Sequence, residues 1–337
     1  MIKFGIWGCG LISAFHAEAI AQIDNAKLCG AFDLNKEAEL SFCKKYDAKP
    51  FDTIDEFLSS GDIDAVCICL PSGLHYEAAM KCIESGKHVV IEKPMTLNSQ
   101  DAQKIIDKAD EKGVCVAVIS QLRYTEAVGK VKKIIESGKL GTITIGNAIM
   151  KYWRDEDYYK DKPWRGTFKM DGGGALMNQG IHGVDLLQYL MGKVVSVFAF
   201  SKTLVHDIEA EDTLTAVVEY ENGAIGTIQA TTSVNPGYGR RIEIHGSKGS
   251  IVLCEDTIEV CDVEGEDKEA LSMGKEHASA SRPDGIGCEF HALQLEDFVR
   301  AVTNGEKPWI DAREGKKAVD IITAIYKSAK SGEKVFL

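Results

Sequence analysis

Residues 3–13 read KFGIWGCGLIS, and this stretch decides the fold of the first part of the chain. An apolar run typical of a buried strand ends in Gly8-Cys9-Gly10, and helical residues follow. The first glycine permits a sharp turn, the second lets backbone approach a pyrophosphate, and Ser13 is small enough for the third position of the pattern. The helix N-terminus presents unpaired N–H groups to an anion. Alone, the pattern also fits a tight strand–helix turn with no ligand.

Apolar runs and helical stretches alternate through the first 120 residues. Predicted strands are 3–7, 27–32, 65–70, 88–91 and 114–119, and predicted helices are 13–22, 36–46, 75–85 and 99–112. This alternation is typical of a parallel sheet covered on both faces. The sequence therefore predicts an α/β fold whose N-terminal domain, residues 1–121, is a doubly wound, Rossmann-type, dinucleotide-binding domain.

The pattern changes near Arg123, and residues 122–337 are predicted to form an α+β domain with an open, mainly antiparallel sheet. Predicted strands are 143–150, 194–202, 212–220, 224–233, 240–246, 249–254 and 257–262, and predicted helices are 126–136, one around His182, 289–304 and 312–331. Asn222-Gly223 is a hairpin signal because both residues tolerate positive φ. Acidic and small residues at 264–287 predict a mobile loop.

Composition limits the classes of function. The 337 residues include no uncharged apolar stretch long enough for a membrane span, and the strand-like start lacks the features of a signal peptide, so we expect a cytoplasmic protein without a membrane partner. A net charge of −12 disfavours nucleic acid as a partner. Seven of the ten cysteines fall in the first 115 residues, several on predicted strands, and are interpreted as reduced thiols.

Asp33 follows the second predicted strand, 23 residues after Gly10. A carboxylate there can accept hydrogen bonds from both hydroxyls of an adenosine ribose and would repel a 2′-phosphate, which favours NAD over NADP. Lys36 is close enough to weaken this inference, so NADP remains an alternative. Asp33 could instead cap the helix that begins near Lys36.

Glu92-Lys93-Pro94 comes at the end of the fourth predicted strand, on the carboxyl edge where a doubly wound sheet binds its ligand. The proline fixes φ and would hold the lysine in one orientation. In isolation, an exposed lysine after a strand is usually a solvated surface residue. Its position beside the expected nicotinamide favours a functional role.

Asn178, His182 and Asp185 have the spacing i, i+4 and i+7, which predicts one polar stripe on an otherwise apolar helix. Three glycines at 172–174 precede it and allow close backbone approach. A lone histidine on a helix is usually structural, but the neighbouring amide, carboxylate and glycines favour a functional site. Metal binding by His182 and Asp185 is a weaker alternative, because no other ligand pair is visible; we expect no metal.

With these residues in place, the sequence resembles the Gfo/Idh/MocA family of oxidoreductases over essentially its whole length. The resemblance rests on the glycine turn and Glu92-Lys93-Pro94, together with Leu70-Pro71-Ser72-Gly73-Leu74-His75, Gln121-Leu122-Arg123-Tyr124, Trp164-Arg165 and the glycine-to-histidine segment. It implies a Rossmann domain followed by a domain that supplies substrate contacts and the oligomer surface. One departure is that many members have aspartate where this chain has Asn178.

Carried over to this sequence, the resemblance assigns the proton chemistry to Lys93 and His182. It assigns the cofactor contacts to Gly8, Gly10, Leu11, Ile12, Asp33, Leu70, Pro71, His75, Glu92, Lys93, Gln121, Trp164 and Arg165. We expect Asn178, Asp185 and Tyr152 to contact the substrate. The segment 171–185 looks closest to family members that act on UDP-linked amino-sugar uronates and on other sugars, although substrate transfers poorly between members.

The sequence thus predicts an NAD(P)-dependent dehydrogenase that moves a hydride between nicotinamide and a carbinol carbon of a sugar, cyclitol or sugar nucleotide. An NAD-dependent, glycosidase-like hydrolase of the same fold and a non-enzymatic cofactor sensor are the alternatives. The retention of both Lys93 and His182 disfavours the sensor. The strands at 194–262 outnumber the helices available to cover them, so an apolar sheet face would remain open. We therefore expect a homodimer or homotetramer built on that face.

Overall fold

A computed structural model describes residues 1–266 and 287–337. By their contacts these residues fall into two compact units. The first contains Met1–Gln121 and Gly287–Val319. The second contains residues 122–266 and Asp320–Leu337. The division at residue 121 coincides with the expected domain boundary, but residues 287–319 group with the first unit and not with the second. The loop expected at 264–287 lies almost entirely outside the described residues.

The first unit contains a six-stranded parallel sheet in the order β3-β2-β1-β4-β5-β6. Its strands are β1 (Ile2–Trp7), β2 (Ala26–Phe32), β3 (Lys49–Pro50), β4 (Ala65–Ile68), β5 (His88–Ile91) and β6 (Val116–Val118). The strand order reverses between β1 and β4, so the carboxyl ends of these strands flank the crevice where doubly wound sheets bind ligands. The prediction of an N-terminal Rossmann-type fold is confirmed.

Helices cover both faces of this sheet. They are α1 (Leu11–Ile20), α2 (Lys36–Tyr46), α3 (Ile54–Ser59), α4 (His75–Glu84) and α5 (Ser99–Lys112), to which the later part of the chain adds α9 (Glu289–Asn304). Strand β3 and helix α3 are elements that the sequence analysis did not identify. Both are short, so their residues show too few repeats of a helical or strand period to be recognised.

Helix α9 belongs to the first unit because its apolar face completes the core on one side of the sheet. Leu295 and Phe298 are fully buried in the same cluster as Phe4 and Ile6 of β1, and the Phe4 and Phe298 rings lie 6.1 Å apart. Each such buried side chain contributes about 1.5–3 kcal/mol. Gln294 also satisfies backbone at the end of β6, where it accepts from the Ser120 N–H and donates to the Val118 carbonyl.

The second unit is built on an eight-stranded sheet in the order β13-β12-β11-β7-β10-β9-β8-β14, in which β7 and β10 are parallel and the other pairs antiparallel. Its strands are β7 (Ile143–Lys151), β8 (Val194–Lys202), β9 (Thr213–Tyr220), β10 (Ile225–Thr231), β11 (Arg241–Gly246), β12 (Gly249–Cys254), β13 (Thr257–Val263) and β14 (Val335–Phe336). Side chains alternate along β9 and β10 between a buried and a more exposed face. The mainly antiparallel sheet is confirmed.

Helices α6 (Glu126–Glu136), α7 (Glu156–Lys160) and α8 (Ile181–Met191) belong to the second unit, and α10 (Ala312–Ser331) contains the boundary between the units. The predicted hairpin joins β9 to β10, with Gly223 at φ +85° and its N–H donated to the Tyr220 carbonyl. None of the ten cysteines, all within the described residues, forms a disulfide. No helix in the described ranges is long and apolar enough to cross a membrane.

Candidate active site

The glycine turn joins β1 to α1 at the carboxyl edge of the parallel sheet. Gly8 has φ +102°, and a Cβ there would lie 2.7 Å from the Cys69 carbonyl oxygen, so this turn requires glycine. A Cβ on Gly10 would meet no atom within 4 Å, and no side chain caps the N-terminus of α1. The Ser13 hydroxyl donates to the Gly10 carbonyl. The turn therefore offers backbone N–H groups and open space, beside the predicted contacts Leu11 and Ile12.

Asp33 stands one residue beyond β2 and is tied to the glycine turn. One carboxylate oxygen accepts the Cys9 N–H at 2.7 Å, and the other accepts the Asn35 N–H at 2.7 Å. The cap of α2 is Asn35, whose side chain accepts the N–H groups of Glu37 and Ala38. The alternative that Asp33 caps this helix is therefore wrong.

Lys36, which weakened the inference for NAD, is hydrogen-bonded to neighbouring residues of the first unit. Its ammonium group donates to the buried Glu39 carboxylate at 2.8 Å and to the Phe51 carbonyl, and it lies 5.4 Å from the centre of the Phe32 ring. Moving this lysine to a 2′-phosphate would leave Glu39 buried without its cation, which is costly. The arrangement strengthens the case for NAD.

His75 supports the loops after β4 and β5. It is 1% exposed, and its two ring nitrogens lie 2.7 Å from the Pro94 carbonyl oxygen and 2.8 Å from the Leu70 carbonyl oxygen. Burial lowers the pKa of the imidazole, although both carbonyls oppose that shift. His75 thus lies between the loop of Leu70 and Pro71 and the loop of Pro94, with a ring nitrogen near a carbonyl oxygen of each. Its contact with the cofactor stays a prediction.

Glu92 and Lys93 directly follow β5. Glu92 is 5% exposed, and one of its carboxylate oxygens accepts the Lys93 N–H at 3.1 Å. The Lys93–Pro94 peptide bond is cis. Glu92, predicted as a cofactor contact, thus fixes the backbone of the lysine that follows it.

Gln121 begins a 3₁₀ turn, Gln121–Tyr124. Its side-chain oxygen is buried and has no hydrogen-bond partner among the described residues. An orphaned buried acceptor is unfavourable unless a ligand supplies a donor. Together with the uncapped α1 and the open space at Gly10, this acceptor shows that the first unit fits a dinucleotide.

In the second unit, His182 lies in the first turn of α8, which follows a π-helical turn, Ala175–Gly180. The prediction of one regular helix carrying Asn178, His182 and Asp185 on a stripe is therefore wrong, because Asn178 belongs to the π turn. Such turns occur often at functional sites. They change the direction of the residues before and after them.

Asp185 forms a buried ion pair with Arg123, with Nε to Oδ2 at 2.9 Å and Nη2 to Oδ1 at 2.6 Å. Their side chains are 6% and 0% exposed. The guanidinium also lies 4.9 Å from the centre of the Tyr189 ring. Both Asp185 oxygens are engaged in a bidentate contact, which braces α8 against Arg123. The contact of Asp185 with substrate stays a prediction.

Asn178 is paired with Asp171, a buried residue just before the glycines. The amide donates to one Asp171 oxygen at 2.8 Å, and the other oxygen accepts the Gly166 N–H at 2.9 Å. The predicted substrate contact is thus linked to the start of the glycine segment. Sequence reasoning had not identified Asp171 as its partner.

Glycine is required at positions 173 and 174 because Tyr326 and Glu211 pack closely against the backbone there. The Glu211 carboxylate accepts the N–H groups of Gly174 and Leu176, and the Tyr326 hydroxyl donates to it at 2.9 Å. A Cβ on Gly174 would lie 1.7 Å from the Glu211 carbonyl oxygen, and one on Gly173 would lie 2.1 Å from the Tyr326 hydroxyl oxygen. The glycines therefore allow close packing onto these two residues.

The remaining predicted contacts lie elsewhere in the second unit. Tyr152 follows β7 and is 1% exposed; its backbone hydrogen-bonds to Thr231 and Val234, and its buried hydroxyl has no hydrogen-bond partner among the described residues. Its role in substrate binding stays a prediction. Trp164 and Arg165 follow α7, and the Arg165 guanidinium lies 3.8 Å from the centre of the Tyr158 ring.

Comparison with protein families accounts for both units. Residues 2–120 match the oxidoreductase family with an NAD-binding Rossmann fold, and residues 128–252 match the GFO/IDH/MocA C-terminal domain. The chain belongs to the GFO/IDH/MocA family. It is an NAD-binding oxidoreductase, and its similarity to named dehydrogenases does not favour the hydrolase and sensor alternatives.

Several relatives match along most or all of the chain. The crystal structure of the WlbA dehydrogenase from Bordetella pertussis with NADH and UDP-GlcNAcA has a TM-score of 0.90 and 34% identity, and the match covers 100% of this chain and 98% of that one. Myo-inositol 2-dehydrogenase from Thermotoga maritima is 28% identical, with 100% and 98% coverage. The NADP-dependent scyllo-inositol 2-dehydrogenase IolW from Bacillus subtilis is 31% identical, with 74% and 68% coverage.

Proposed function

We propose that this GFO/IDH/MocA protein is an NAD-dependent dehydrogenase that oxidises a carbinol on a nucleotide-linked sugar acid. The observation that carries the proposal is the full-length likeness to WlbA, whose structure holds NADH and UDP-GlcNAcA, at 34% identity. The full-length match to an inositol dehydrogenase has 28% identity. A cyclitol is therefore the second candidate substrate.

Lys93 and His182 carry the proton chemistry in this proposal. Bound nicotinamide supplies the hydride acceptor. His182 accepts the proton of the substrate hydroxyl, a step in which a positioned base contributes roughly 10²–10⁴-fold. The Lys93 ammonium stabilises the negative charge that develops on that oxygen. Glu92 and Pro94 fix the lysine backbone, and the π turn and the Arg123–Asp185 pair fix the start of α8.

We assign NAD as the preferred cofactor on the geometry at Asp33 and Lys36. The Asp33 carboxylate is oriented by two backbone N–H groups at the end of β2, whereas the Lys36 ammonium is bound to Glu39 and Phe51. The first group favours ribose hydroxyls, and the second is not available to a phosphate without breaking a buried contact. Leu11, Ile12, Leu70, Pro71, Trp164 and Arg165 are kept as proposed cofactor contacts.

The test is to follow NADH formation with five substrates: UDP-N-acetylglucosaminuronate, UDP-N-acetylglucosamine, free N-acetylglucosaminuronate, myo-inositol and levoglucosan. We expect the highest kcat/KM with the first compound and a large loss when either the nucleotide or the carboxylate is absent. A higher kcat/KM with myo-inositol would overturn the proposed substrate. Cleavage of the glycosidic bond with no net NADH would overturn the reaction type.

Lys93→Ala tests the assigned chemistry within the same assay. We expect kcat to fall far more than NADH affinity, because the lysine acts on the reacting oxygen. Lys27→Ala, on the exposed side of β2, is the matched control. Turnover near that of the control would remove Lys93 from the mechanism. Repeating the assay with NADP in place of NAD tests the cofactor assignment.

We also propose that the enzyme acts in the cytoplasm as a homodimer or homotetramer. Ten cysteines without a disulfide and the use of NAD support the first point. The outer face of the large sheet supports the second, since Phe200, Val217 and Ile225 are 66%, 50% and 55% exposed there. Apolar side chains grouped on one sheet face are typical of an interface.

A further inference from the structure

Three titratable side chains form a buried cluster in the first unit, next to Lys93. His16 comes from α1, Glu92 from the end of β5 and His291 from the first turn of α9, and they are 0%, 5% and 2% exposed. His16 Nε2 lies 2.8 Å from one Glu92 oxygen, and His291 Nε2 lies 3.7 Å from the same oxygen. The two imidazole rings meet edge to face, 5.5 Å apart.

This cluster occupies an apolar part of the core. Ala17 and Ile20 of α1 and Ala292 and Leu295 of α9 belong to the surrounding hydrophobic cluster. Burying a carboxylate in such a place costs stability, and replacing an ion or polar group there with an apolar one is often neutral or stabilising. If the cluster served only to stabilise the core, apolar side chains would stabilise it equally well.

The hydrogen-bond pattern fixes the protonation states of the cluster. If His16 donates from Nε2 to Glu92, its Nδ1 is the unprotonated nitrogen, and Nδ1 is buried with no partner in the described part of the chain. A proton there would lack an acceptor, which opposes an imidazolium. Burial likewise lowers the pKa of His16. Burial raises the pKa of Glu92, but the His16 ring N–H and the nearby His291 ring outweigh it and bring the pKa of that carboxyl well below its usual range.

The other titratable groups around Glu92 do not cancel its charge. Cys67 and Cys69 face it from β4 and its end, and burial raises the pKa of both thiols, so they stay neutral. His75 faces it from α4, where burial lowers its pKa. Lys93 is the cation next to it in the chain, and the Lys93 N–H donates to the second Glu92 oxygen.

We propose that His16 and His291 are positioning residues, which hold Glu92 as a fixed anion and through it set the orientation and proton affinity of Lys93. This inference rests on the proposed function, in which Lys93 acts as an ammonium group. An anion held beside a lysine favours its protonated form. Because one carboxylate oxygen is hydrogen-bonded to His16, with His291 Nε2 3.7 Å away, and the other accepts the Lys93 N–H, the charge and the backbone are fixed together.

A metal ion is the competing explanation of two histidines and a glutamate. Zinc bonds of about 2.0–2.1 Å in a tetrahedral site place ligand atoms about 3.3 Å apart. The His16–Glu92 separation of 2.8 Å is that of a charge-assisted hydrogen bond. The geometry favours a hydrogen bond between His16 and Glu92 with His291 beside it, and the metal becomes one outcome of the test.

The test reads the titration of Lys93 directly in the full chain without substrate or cofactor. Trace acylation with acetic anhydride across a pH series, followed by mass spectrometry of the Lys93 peptide, gives the pKa of this amine, with exposed Lys27 as the internal control. Glu92→Gln, which keeps the shape and removes the charge, should lower the Lys93 pKa by about one unit. His16→Leu should shift it in the same direction, His16→Gln should stay near the wild type, and His291→Phe should shift it less.

An unchanged Lys93 titration in folded Glu92→Gln protein would overturn the inference, and this isosteric variant keeps the test decisive if His16→Leu does not fold. Zinc bound at one equivalent after extensive dialysis in the wild type and lost in His291→Phe would overturn it in favour of a metal site. A chain that shows the shift but oxidises none of the substrates would refute the proposed function and leave the positioning role standing.

Discussion

Three carboxylates of the second unit are each hydrogen-bonded to specific donors. Asp185 binds the Arg123 guanidinium, Asp171 binds the Asn178 amide, and Glu211 binds two backbone N–H groups and a tyrosine hydroxyl. Asp171 and Asn178 are seven residues apart, but the partners of Asp185 and Glu211 are distant in sequence. A pattern of residue types could therefore suggest that the carboxylates matter but not which donor each one binds. The partners decide how each carboxylate responds to substitution.

Asn178→Asp is expected to create a coupled pair of acids. The amide donates to Asp171 at 2.8 Å, so an aspartate would place two carboxylates at that separation in a buried site. Such a pair holds one proton between its members, as like charges this close cannot both ionise. We therefore expect only a small upward shift in the acidic limb of the kcat/KM profile.

The double variant Asn178→Asp with Asp171→Asn restores one amide and one carboxylate with their positions exchanged. The new carboxylate then stays ionised in the π turn that leads into His182, and we expect its charge to raise the basicity of that imidazole. We expect a larger upward shift of the acidic limb than in the single variant, and Asp171→Asn alone serves as the control. Equal shifts in single and double variants would show that Asp171 does not govern the charge at residue 178.

Glu211 is expected to make stability depend on pH. Burial raises the pKa of its carboxyl despite the hydrogen bonds that oppose the shift. The native state therefore binds this proton more tightly than the unfolded chain, so the stability it contributes is full below the ordinary glutamate pKa and is lost as pH rises through the raised value. Relative to Glu211→Gln, the wild-type Tm should fall between acidic and neutral pH. A constant Tm difference, like that expected for exposed Glu221→Gln, would contradict this.

At the scale of elements, the π turn before α8 depends on glycine packing. A Cβ on Gly174 would lie 1.7 Å from the Glu211 carbonyl oxygen, which is backbone and cannot rotate away. Gly174→Ala should therefore destabilise the protein by about 1–3 kcal/mol through overpacking. Its kcat should also fall, because the displaced turn leads into His182.

Gly129→Ala is the matched control for this prediction. Gly129 lies within α6, and a Cβ there would meet no atom within 4 Å. Alanine should stabilise that helix by about 0.5–1 kcal/mol. Denaturant unfolding of both variants measures the two effects. Similar stability changes of either sign in the pair would show that the Gly174 contact is not tight.

Elements with a clear period were predictable from sequence, and their partners were not. The strands of both sheets coincide with apolar runs, and α5, α6 and α9 coincide with helical spacing of apolar residues. This is because the residues that an element buries recur with the period of that element. The π turn escaped prediction because one extra residue per turn barely changes the spacing of apolar residues. Helix α9 was assigned to the wrong neighbours since amphipathic spacing shows which face is buried but not what covers it.

At the scale of the whole molecule, the outer face of the large sheet is expected to form an oligomer interface. Phe200 is 66% exposed, and its ring lies 5.3 Å from that of Phe198 on the same strand. Val217 pairs with Phe198 across β8 and β9. We expect a dimer or tetramer in multi-angle light scattering, and Phe200→Glu should shift it towards a monomer.

Leu40→Glu is the control, because Leu40 is 56% exposed on α2 of the first unit and is not part of this sheet. It should leave the assembly intact. A wild-type protein that is a monodisperse monomer at micromolar concentration would refute the interface. If Leu40→Glu dissociates the oligomer as strongly as Phe200→Glu does, the dissociation results from added charge in general and not from loss of the sheet interface.

Because residues 287–319 belong to the first unit, the core of that unit can be completed only late in synthesis. The nucleotide-binding sheet emerges from the ribosome first, but Leu295 and Phe298, which close its core, and His291, which completes the cluster at Glu92, are translated only after most of the second sheet. Until α9 is synthesised, the face of the parallel sheet that α9 covers therefore stays exposed. That face is where a chaperone would bind this chain, and a fragment ending at residue 121 would carry the same uncovered face permanently.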